Sequence, residues 1–417
     1  MDIHELRWIR TFSNKLDPAL KDSLFDHYRR SKRIPCFLQR IYRFFQYRLC
    51  RLPIIIQLAP TRSYEKIKNL QDQFRKHQKL TIINSLSTTL SLQKLRKITP
   101  HPLIKKIYLD HEISTLLHQA VPITNVPTLW DNNLSGKGIT LAILDTGLAP
   151  HPDFFLPQKR LLAFRDFVNQ ISTPYDDNGH GTHCTGLAAG NGYLSEGKYK
   201  GPAYQAQIVS LKILNKMGLG KISTAITALE WVLDNQKIYK IKIVSLSFGY
   251  KPTLTYQEDP LCQALEKIWQ AGIVVCTAAG NGGPEKGSIT SPGFHPDFIT
   301  TGSLDNLTTV SEFSGRGPTR DGLPKPDFLL PGNNLMSTHA QGSLLDKKLP
   351  SPTKWYTALS GTSMTTPLCA GIIALLLENN PTLTPTKIKA KLLQNCHPLN
   401  AIDIYTQGQG YLDCSQI

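Results

Sequence analysis

Four predominantly apolar runs constrain the fold of this 417-residue chain more strongly than any other feature of its sequence. They lie at residues 139–144, 208–214, 241–247 and 273–278. Apolar runs without alternation are typical of strands that are buried on both faces of a parallel sheet. Because helix-compatible stretches at 223–233 and 261–271 separate some of them, the sequence predicts an α/β fold with a doubly wound, mostly parallel sheet. In such a fold, functional side chains lie at the carboxyl ends of the strands.

A smaller α/β pattern precedes this large domain. Predicted strands and helices alternate in the order β-α-β-α-β, at residues 53–58, 63–76, 80–84, 92–98 and 104–109. Ser63 is a suitable N-cap for the first of the two helices. The pattern predicts a small open-sheet α/β domain over residues 52–117, followed by the large domain over residues 118–417.

The net charge of +16 is concentrated in the N-terminal part of the chain. Residues 1–120 contain 23 Lys and Arg against 9 Asp and Glu, whereas the remaining residues contain 24 against 22. The large domain is therefore nearly neutral, and we expect no nucleic-acid binding by it. Residues 1–51 form a basic N-terminal extension, in which the Arg-rich, aromatic segment 34–50 predicts an amphipathic helix. We expect this helix to pack against the protein itself, with a membrane surface or nucleic acid as the alternative contact.

Neither a signal peptide nor a membrane-spanning helix is predicted. Residues 1–10 include Asp2 and Glu5 and have no apolar core of signal-peptide length. No apolar run approaches the roughly 18 residues that a bilayer-spanning helix needs. The eight cysteines contain no Cys-x-x-Cys pair, which indicates buried free thiols in a reducing compartment. These features predict a cytoplasmic protein, with non-classical export left open.

Three polar segments carry side chains that belong to one kind of chemistry. Asp145 directly follows the first strand of the large domain, His180 stands in the segment His-Gly-Thr-His-Cys-Thr-Gly, and Ser363 precedes an apolar helix. A serine hydroxyl becomes a good nucleophile when a histidine takes its proton, and a carboxylate fixes the tautomer of that histidine. The chain order Asp, His, Ser is one of the orders known for this geometry.

Other interpretations of the same segments have less support. An aspartic protease needs a second Asp-Thr-Gly segment, and the sequence has only one. His180 and His183 are spaced like a metal-binding pair, but no third ligand cluster or intervening Glu accompanies them. Ser363 lacks the Gly-x-Ser-x-Gly turn of α/β-hydrolases because Thr365 stands where the second glycine would be.

The segments 145–147, 180–186 and 361–367 resemble the three signature motifs of the subtilisin-like serine proteases, the subtilase family. The resemblance covers roughly residues 118–417, and within the family it is strongest to the AprX type of intracellular bacterial enzymes. One departure is Thr365, where the family usually has Ala, and we expect its hydroxyl to bond a helix carbonyl. The resemblance implies a serine endopeptidase that cleaves protein or peptide substrates through an acyl-enzyme.

The resemblance also implies roles for further residues. Asn281 would donate its side-chain amide to the oxyanion of the tetrahedral intermediate, together with the backbone N–H of Ser363. Two extended segments would bind the substrate as an added strand, and they comprise Gly218, Leu219, Gly220, Ser247, Phe248 and Gly249. The pocket for the residue before the cut would be lined by Ala278, Ala279, Gly280 and Thr290. Because main-chain pairing recognises no particular side chain, we expect broad specificity, and because none of the pocket residues is acidic, we expect an apolar preference before the cut. The resemblance also implies that the Ser291–Pro292 bond is cis.

The chemistry implied by the resemblance requires no cofactor, and a structural calcium is left open. Asp153 resembles a calcium ligand of some relatives, but residues 191–200 lack the usual partners of that ligand. Asp176 and Asp177 form a second acidic group, for which a solvated turn is the favoured interpretation. We therefore assign no metal ligand. Cys184 resembles a thiol that lies beneath the catalytic histidine in some relatives, and we expect it to pack rather than react.

By the same resemblance, residues 52–117 would be a propeptide that assists folding and inhibits the enzyme intramolecularly. The basic extension before it has no counterpart in the family pattern. A tail that leaves the small sheet can lie in the active-site cleft as a tethered substrate, and we predict self-processing after Leu117, within about five residues. Two other functions remain alternatives: an esterase or acyl transferase with the same acyl-enzyme, and a basic binding protein with a degenerate protease body.

Overall fold

The computed structural model describes residues 3–32, 51–60, 74, 77–110, 112–115, 125–306, 308–349 and 353–416. The chain divides into two units, Met1–His111 and Glu112–Ile417. Among the described helices, none is long and apolar enough to cross a membrane. The cellular location stays a prediction. The amphipathic helix predicted at 34–50 and the processing site predicted at Leu117 lie outside the described residues.

The first unit contains an antiparallel sheet packed against helices. Its helices are α1 (Ile3–Thr11), α2 (Pro18–Lys32) and α3 (Leu92–Ile98), and its strands are β1 (Arg51–Leu58), β2 (His77–Leu80), β3 (Ser85–Ser91) and β4 (Ile104–Leu109). The strand order in the described part of this unit is β2-β3-β1-β4, and each neighbouring pair is antiparallel. Ile54, Ile56 and Leu95 lie at the centre of the core.

The basic N-terminal extension shares this core. Trp8, Leu16 and Leu20 are buried in the same cluster as the apolar side chains of the sheet. The buried carboxylate of Asp17 accepts hydrogen bonds from Leu20 N and from Leu109 N, which joins α2 to β4. Burial raises the pKa of Asp17 to about 6. The boundary predicted at residue 51 therefore marks a change of charge composition, and α1 and α2 pack with the sheet that follows it.

The strand predicted at residues 80–84 is wrong, because the chain reverses direction there. Leu80 ends β2, residues Thr81–Ile83 form a 3-10 turn, and Asn84 has a left-handed φ of 49°. The chain then returns as β3, which is rich in Ser and Thr and has no continuous apolar run. The predicted β-α-β-α-β order is therefore also wrong. The predicted elements that the structure confirms are 53–58, 92–98 and 104–109, whereas 63–76 falls mostly outside the described residues.

The second unit is built on a mostly parallel sheet, which confirms the predicted α/β fold. Its strands are β5 (Glu112–Thr115), β6 (Thr140–Asp145), β7 (Leu161–Asp166), β8 (Gln207–Lys212), β9 (Leu219–Lys221), β10 (Ile241–Leu246), β11 (Phe248–Gly249), β12 (Val274–Ala278), β13 (Ile299–Asn306), β14 (Thr309–Val310), β15 (Phe328–Pro331), β16 (Leu335–Thr338), β17 (Tyr356–Leu359), β18 (Cys396–His397) and β19 (Tyr411–Leu412). Among the described residues, the large sheet has the order β18-β19-β15-β13-β12-β10-β6-β8-β7, with β14 beside β13. The four predicted strands correspond to β6, β8, β10 and β12.

Strand β6 is the switch point of the large sheet, because the chain adds strands first on one side of it and then on the other. In such sheets a crevice opens at the carboxyl ends of the strands next to the switch point. From β6 the chain passes to β7 and β8 on one side and then to β10 and β12 on the other. The helices of this unit are α4 (Pro127–Asp131), α5 (Pro152–Phe155), α6 (His180–Ala189), α7 (Ile222–Tyr239), α8 (Pro260–Gln270), α9 (Leu344–Lys348), α10 (Thr362–Asn379), α11 (Pro385–Gln394) and α12 (Ile404–Gln407). Helix α10 is buried along most of its length and contributes Ile372 and Ile373 to the main core, beside Ile143 and Ile243 of the sheet.

The cysteines in the described part of the chain are free thiols. Five of them are buried and Cys396 is partly exposed; the buried ones are Cys184, Cys262, Cys276, Cys369 and Cys414. This confirms the expectation of buried free thiols for those positions.

Candidate active site

Asp145 and His180 meet at the carboxyl edge of the parallel sheet. Asp145 is the last residue of β6, and His180 is the first residue of α6. The two side chains are 1% and 0% exposed, and His180 Nδ1 donates a hydrogen bond to Asp145 Oδ1 at 2.8 Å. Asp145 Oδ1 also accepts from Thr146 N at 2.7 Å, which fixes the carboxylate. With its proton on Nδ1, the neutral ring keeps Nε2 free as a base.

Two opposing effects act on the pKa of His180. Burial of the ring lowers it, but the charge of Asp145, with a contribution from Cys184, raises the pKa of His180 well above its ordinary value of 6.5. A general base has to be neutral before it accepts a proton. The shift means that His180 loses its proton at a higher pH than an ordinary histidine does.

Helix α6 approaches the loop after β6 so closely that position 181 has to be glycine. A Cβ on Gly181 would overlap with Gly147 O, and its backbone N–H donates to Thr146 Oγ1 at 2.8 Å. The glycine next to His180 therefore has a packing reason, because it lets the first turn of α6 lie directly on the Asp145 loop.

Sequence reasoning missed Lys212, which supports the same loop. Its ammonium group is fully buried and donates to Thr146 O at 2.5 Å, to Leu214 O at 3.0 Å and to Asp177 Oδ1 at 2.7 Å. A buried charge has to be paired and hydrogen-bonded in this way. The signal in the sequence is a lysine at the end of a mostly apolar strand, β8.

Ser363 is the second residue of α10 and is fully buried. Its hydroxyl donates to Ser247 O at 3.0 Å, and its carbonyl oxygen accepts from Cys184 Sγ at 3.5 Å. Cys184 Sγ also lies 3.7 Å from Nδ1 and 3.8 Å from Nε2 of His180. Burial raises the pKa of the Cys184 thiol, so it stays neutral. The thiol therefore packs between the backbone of Ser363 and the histidine ring.

Asn281 has its amide group oriented by Thr362, the residue before Ser363. Asn281 Oδ1 accepts from Thr362 N and from Thr362 Oγ1, each at 3.0 Å, and Thr362 Oγ1 accepts from Gly280 N at 3.1 Å. Because Thr362 N can only donate, the oxygen and nitrogen of this amide are assigned unambiguously. Asn281 Nδ2 is buried and has no hydrogen-bond partner among the described residues. It is thus free to donate to a substrate atom.

The two segments predicted to bind substrate lie on either side of an extended piece of the chain itself. Strand β5 pairs antiparallel with β9, with Ile113 opposite Gly220, and with β11, where Ser114 faces Gly249 and Thr115 faces Phe248. The three strands form a small sheet of their own in the order β11-β5-β9 among the described residues. The cleft between β9 and β11 therefore holds an extended segment of the chain through main-chain pairing.

The residues predicted to line the specificity pocket come together beside this cleft. A Cβ on Gly280 would lie 2.7 Å from Thr290 Cγ2, and a Cβ on Gly249 would lie 2.6 Å from Thr290 Oγ1. Thr290 N donates to Ala279 O at 3.0 Å, and Ala278 and Ala279 are fully buried. The Ser291–Pro292 bond is cis, as predicted.

Asp153, which resembles a calcium ligand of relatives, has surroundings that do not fit a cation. Tyr356 Oη donates to its two carboxylate oxygens at 2.9 Å and 3.0 Å. Gly192 N and Leu194 N donate to the same carboxylate at 3.0 Å and 3.4 Å. Calcium needs six to eight oxygen ligands, whereas N–H and O–H donors point their hydrogens at this carboxylate. The side chain is 0% exposed, and these hydrogen bonds, together with the nearby Arg160 guanidinium, compensate its buried charge.

The other candidate metal ligands are also engaged in hydrogen bonds. His183 Nε2 lies 2.9 Å from Leu335 O and donates to it, and burial, with His180, lowers the pKa of His183 to about 3. Asp177 is paired with Lys212, and Asp176 is buried rather than solvated, which corrects the interpretation of that segment as a solvated turn. Within the described residues, the one group of three potential ligand atoms is Asp145, His180 and Cys184, which is the candidate site itself.

Comparison with known proteins agrees with this arrangement. The profile of the subtilase family matches residues 136–411. Serine protease AprX of Bacillus subtilis (strain 168) is 38% identical over 94% of this chain and 92% of its own length. Alkaline protease of Alkalihalobacillus alcalophilus is 31% identical over 78% of this chain and 77% of its own length. Subtilisin Savinase of Lederbergia lenta is 31% identical over 68% of this chain and 92% of its own length.

The family match covers well over half of the chain and contains the segments of Asp145, His180, Asn281 and Ser363. The sheet, the paired Asp145 and His180, and the peptide-binding cleft are consistent with that match. The chain therefore belongs to the subtilase family and is a serine endopeptidase.

Proposed function

We propose that the chain hydrolyses protein substrates through an acyl-enzyme on Ser363, with His180 as the base and Asp145 as the carboxylate that orients it. The observation that carries this proposal is the buried 2.8 Å hydrogen bond between His180 Nδ1 and Asp145 Oδ1. Asp145 selects the tautomer that leaves Nε2 free and stabilises the imidazolium that forms when Ser363 loses its proton. Rotation of the Ser363 hydroxyl away from Ser247 O is the movement that this step requires. Serine–histidine hydrogen bonds are often loose before substrate binds.

Asn281 and the backbone N–H of Ser363 would bind the oxyanion. Ser363 N lies in the first turn of α10, where N–H groups have no acceptor within the helix. Asn281 Nδ2 is held free by the hydrogen bonds of its oxygen to Thr362. Two donors that are already oriented stabilise the charge as it develops, without reorganisation during the reaction.

Substrates would bind as a strand between β9 and β11, as β5 does. Main-chain pairing of this kind is insensitive to sequence, so selectivity comes from side-chain pockets. None of the four residues proposed to line the specificity pocket is charged; they are Ala278, Ala279, Gly280 and Thr290. We therefore expect broad specificity with an apolar residue before the cut.

The register of β5 supports self-processing and gives a specific bond. Thr115 faces Phe248, so antiparallel pairing continued by one residue would set Leu116 opposite Ser247. The Ser247 carbonyl oxygen is the acceptor for the Ser363 hydroxyl. We therefore propose cleavage of the Leu116–Leu117 bond, one residue before the position predicted from sequence. Both residues lie outside the described part of the chain, and both are apolar.

Before and after cleavage, β5 would also act as an inhibitor. A strand that fills the positions between β9 and β11 excludes a second peptide from the same hydrogen-bonding groups. Before cleavage it belongs to the same chain, so its effective concentration in the cleft is high. After cleavage the main-chain pairing with β9 and β11 would retain it. The enzyme would thus be made as a precursor whose residues before the cut remain bound until they are degraded.

Intact-mass measurement of the wild type and of Ser363→Ala tests both parts of the proposal. We expect two fragments that meet at Leu116–Leu117 in the wild type and only full-length chain in the variant. Peptide hydrolysis by Ser363→Ala should fall by roughly a millionfold, a size known from subtilisin. A fluorophosphonate probe should label only the wild type. Equal cleavage or comparable hydrolysis in the variant would contradict the assignment of Ser363.

Two charged substitutions locate the bond. Leu116→Asp should slow processing strongly because a carboxylate would enter an uncharged pocket, whereas Leu117→Asp, on the other side of the bond, serves as the matched control. Stronger inhibition by Leu117→Asp than by Leu116→Asp would instead support the bond after Leu117.

A further inference from the structure

The carboxylate of Asp176 accepts five hydrogen bonds although the side chain is only 6% exposed. Its Oδ1 accepts from Thr146 Oγ1 at 2.9 Å, from Asn178 N at 3.1 Å and from Gly179 N at 2.8 Å. Its Oδ2 accepts from Thr182 N at 2.8 Å and from Thr182 Oγ1 at 2.7 Å. These donors come from both segments that carry the proposed orienting carboxylate and base.

Each of the two threonine hydroxyls bridges those segments. Thr146 directly follows Asp145, and its Oγ1 accepts from Gly181 N at 2.8 Å while it donates to Asp176. Thr182 lies two residues after His180, and its Oγ1 accepts from Ala149 N at 2.9 Å while it donates to Asp176. The loop after β6 and the first turn of α6 are therefore cross-linked twice, and both links end on one carboxylate.

The position of Asp176 also matches the electrostatics of α6. Gly179 N and Thr182 N belong to the start of this helix, where N–H groups lack acceptors within the helix and carry partial positive charge. A carboxylate is the side chain that accepts several such bonds at once, because each of its oxygens has two lone pairs. An amide at this position has one acceptor oxygen and would turn two hydrogens toward existing donors.

We propose that Asp176 is a positioning residue that sets the distance between Asp145 and His180. The bonds through Thr146 and Thr182 add to the hydrogen bond between the Asp145 and His180 side chains in holding the two segments together. Asp176 orients both threonine hydroxyls. The inference rests on the proposed roles of Asp145 and His180. It differs from a general contribution to folding because it predicts an effect on catalysis by correctly folded molecules.

Removing the carboxylate should affect turnover more than binding. Asp176→Ala leaves five donors without their acceptor, and a displacement of about 1 Å between reacting groups lowers rates about 100-fold. We expect kcat per active site to fall by about that factor, with a change in KM of less than about threefold. Asp176→Asn keeps the Oδ1 acceptor but presents an N–H₂ group to Thr182 N, so its loss of kcat should be smaller.

The pH profile provides the readout that a purely structural role would not change. The groups that face His180 are Asp145 from β6 and Cys184 and His183 from α6, of which His183 is held neutral by burial. A ring that moves away from Asp145 loses the attraction that favours its protonated form. The acid limb of kcat/KM should therefore shift to lower pH in Asp176→Ala, while a simple loss of folded molecules would leave it in place.

The measurement uses the processed enzyme, with active sites counted by fluorophosphonate titration. Asp403→Asn is the matched control, because Asp403 accepts from Tyr405 N at 3.0 Å and from Thr406 Oγ1 at 2.9 Å at the start of α12, outside the site. If Asp176→Ala does not fold, Asp176→Asn and Thr146→Val carry the test. A normal kcat per titrated site, or a lower kcat with an unmoved acid limb, would overturn the inference. Wild type that neither labels nor hydrolyses peptides would instead overturn the proposed function.

Discussion

Replacing Tyr356 by Phe removes the hydroxyl that compensates the buried charge of Asp153. The hydroxyl donates to both carboxylate oxygens, and the remaining donors are Gly192 N at 3.0 Å and Leu194 N at 3.4 Å. Burial and the charge of Asp153 raise the pKa of Tyr356, so the hydroxyl keeps its proton at any pH at which the enzyme is studied. Because Asp153 is 0% exposed, water does not replace the lost donor.

The cost follows from the number and kind of bonds lost. A hydrogen bond to a charged group contributes about 1.5–3 kcal/mol, and one side-chain oxygen would keep only the long bond from Leu194 N. We therefore expect the free energy of unfolding to fall by about 2 kcal/mol. Urea unfolding in a Ser363→Ala background, which prevents self-digestion, measures the change. The midpoint should fall while the slope with urea stays unchanged.

Tyr239→Phe is the control, because Tyr239 is partly exposed and its ring stacks on Trp231. The same experiment in excess calcium or excess EDTA tests whether hydrogen bonds serve Asp153 in place of a cation. The wild-type midpoint should not depend on either addition. A calcium-dependent gain in stability that disappears in Asp153→Asn would show that a cation stabilises this carboxylate. A loss in Tyr356→Phe no larger than in Tyr239→Phe would show that the Tyr356 hydroxyl does not.

Two further predictions concern catalysis. Asn281→Leu should lower kcat about 100- to 1000-fold with little change in KM, a range observed for a side-chain oxyanion donor in a related subtilase. A large rise in KM with normal kcat would instead make Asn281 a substrate-positioning residue. Because Asp145 raises the pKa of His180 against the effect of burial, kcat/KM should reach half of its maximum above pH 6.5 and continue to rise as His180 loses its proton. A pH titration of hydrolysis measures this, and a half-maximum below pH 6.5 would contradict the assigned pairing.

The parts of the fold that could be predicted from sequence are those where burial leaves a simple pattern. Strands β6, β8, β10 and β12 are buried along most of their length on both faces, so each appears as a mostly apolar run without a polar face. The motif residues Asp145 and His180 could be predicted to meet, because Asp145 lies at the end of a strand and His180 at the start of a helix, at the same edge of the sheet. Strand β3 could not be predicted, since Ser and Thr separate its two leucines and two of its buried residues, Ser85 and Thr88, are polar.

Contacts between distant segments could not be predicted. Tyr356 and Asp153 are separated by 203 residues, and neither has a sequence pattern that indicates the other. The same is true of Thr362 and Asn281, which are 81 residues apart and whose hydrogen bonds orient the amide. Lys212 was missed for a related reason: its partners are mostly backbone carbonyls, which every sequence contains. Residue types identify a candidate site, but the packed chain determines which polar atoms stay free.

Thr365 illustrates how a departure from the family pattern becomes part of this packing. Its hydroxyl donates to Thr362 O at 2.9 Å, as predicted, and lies 2.7 Å from Thr301 Oγ1 in β13. The carbonyl that it bonds belongs to the residue whose N–H and hydroxyl hold Asn281 Oδ1. These bonds leave Asn281 Nδ2 without a partner among the described residues. The Thr365 hydroxyl therefore links α10 to β13 and also bonds Thr362, the residue that orients the proposed oxyanion donor. It adds packing contacts and no reacting group.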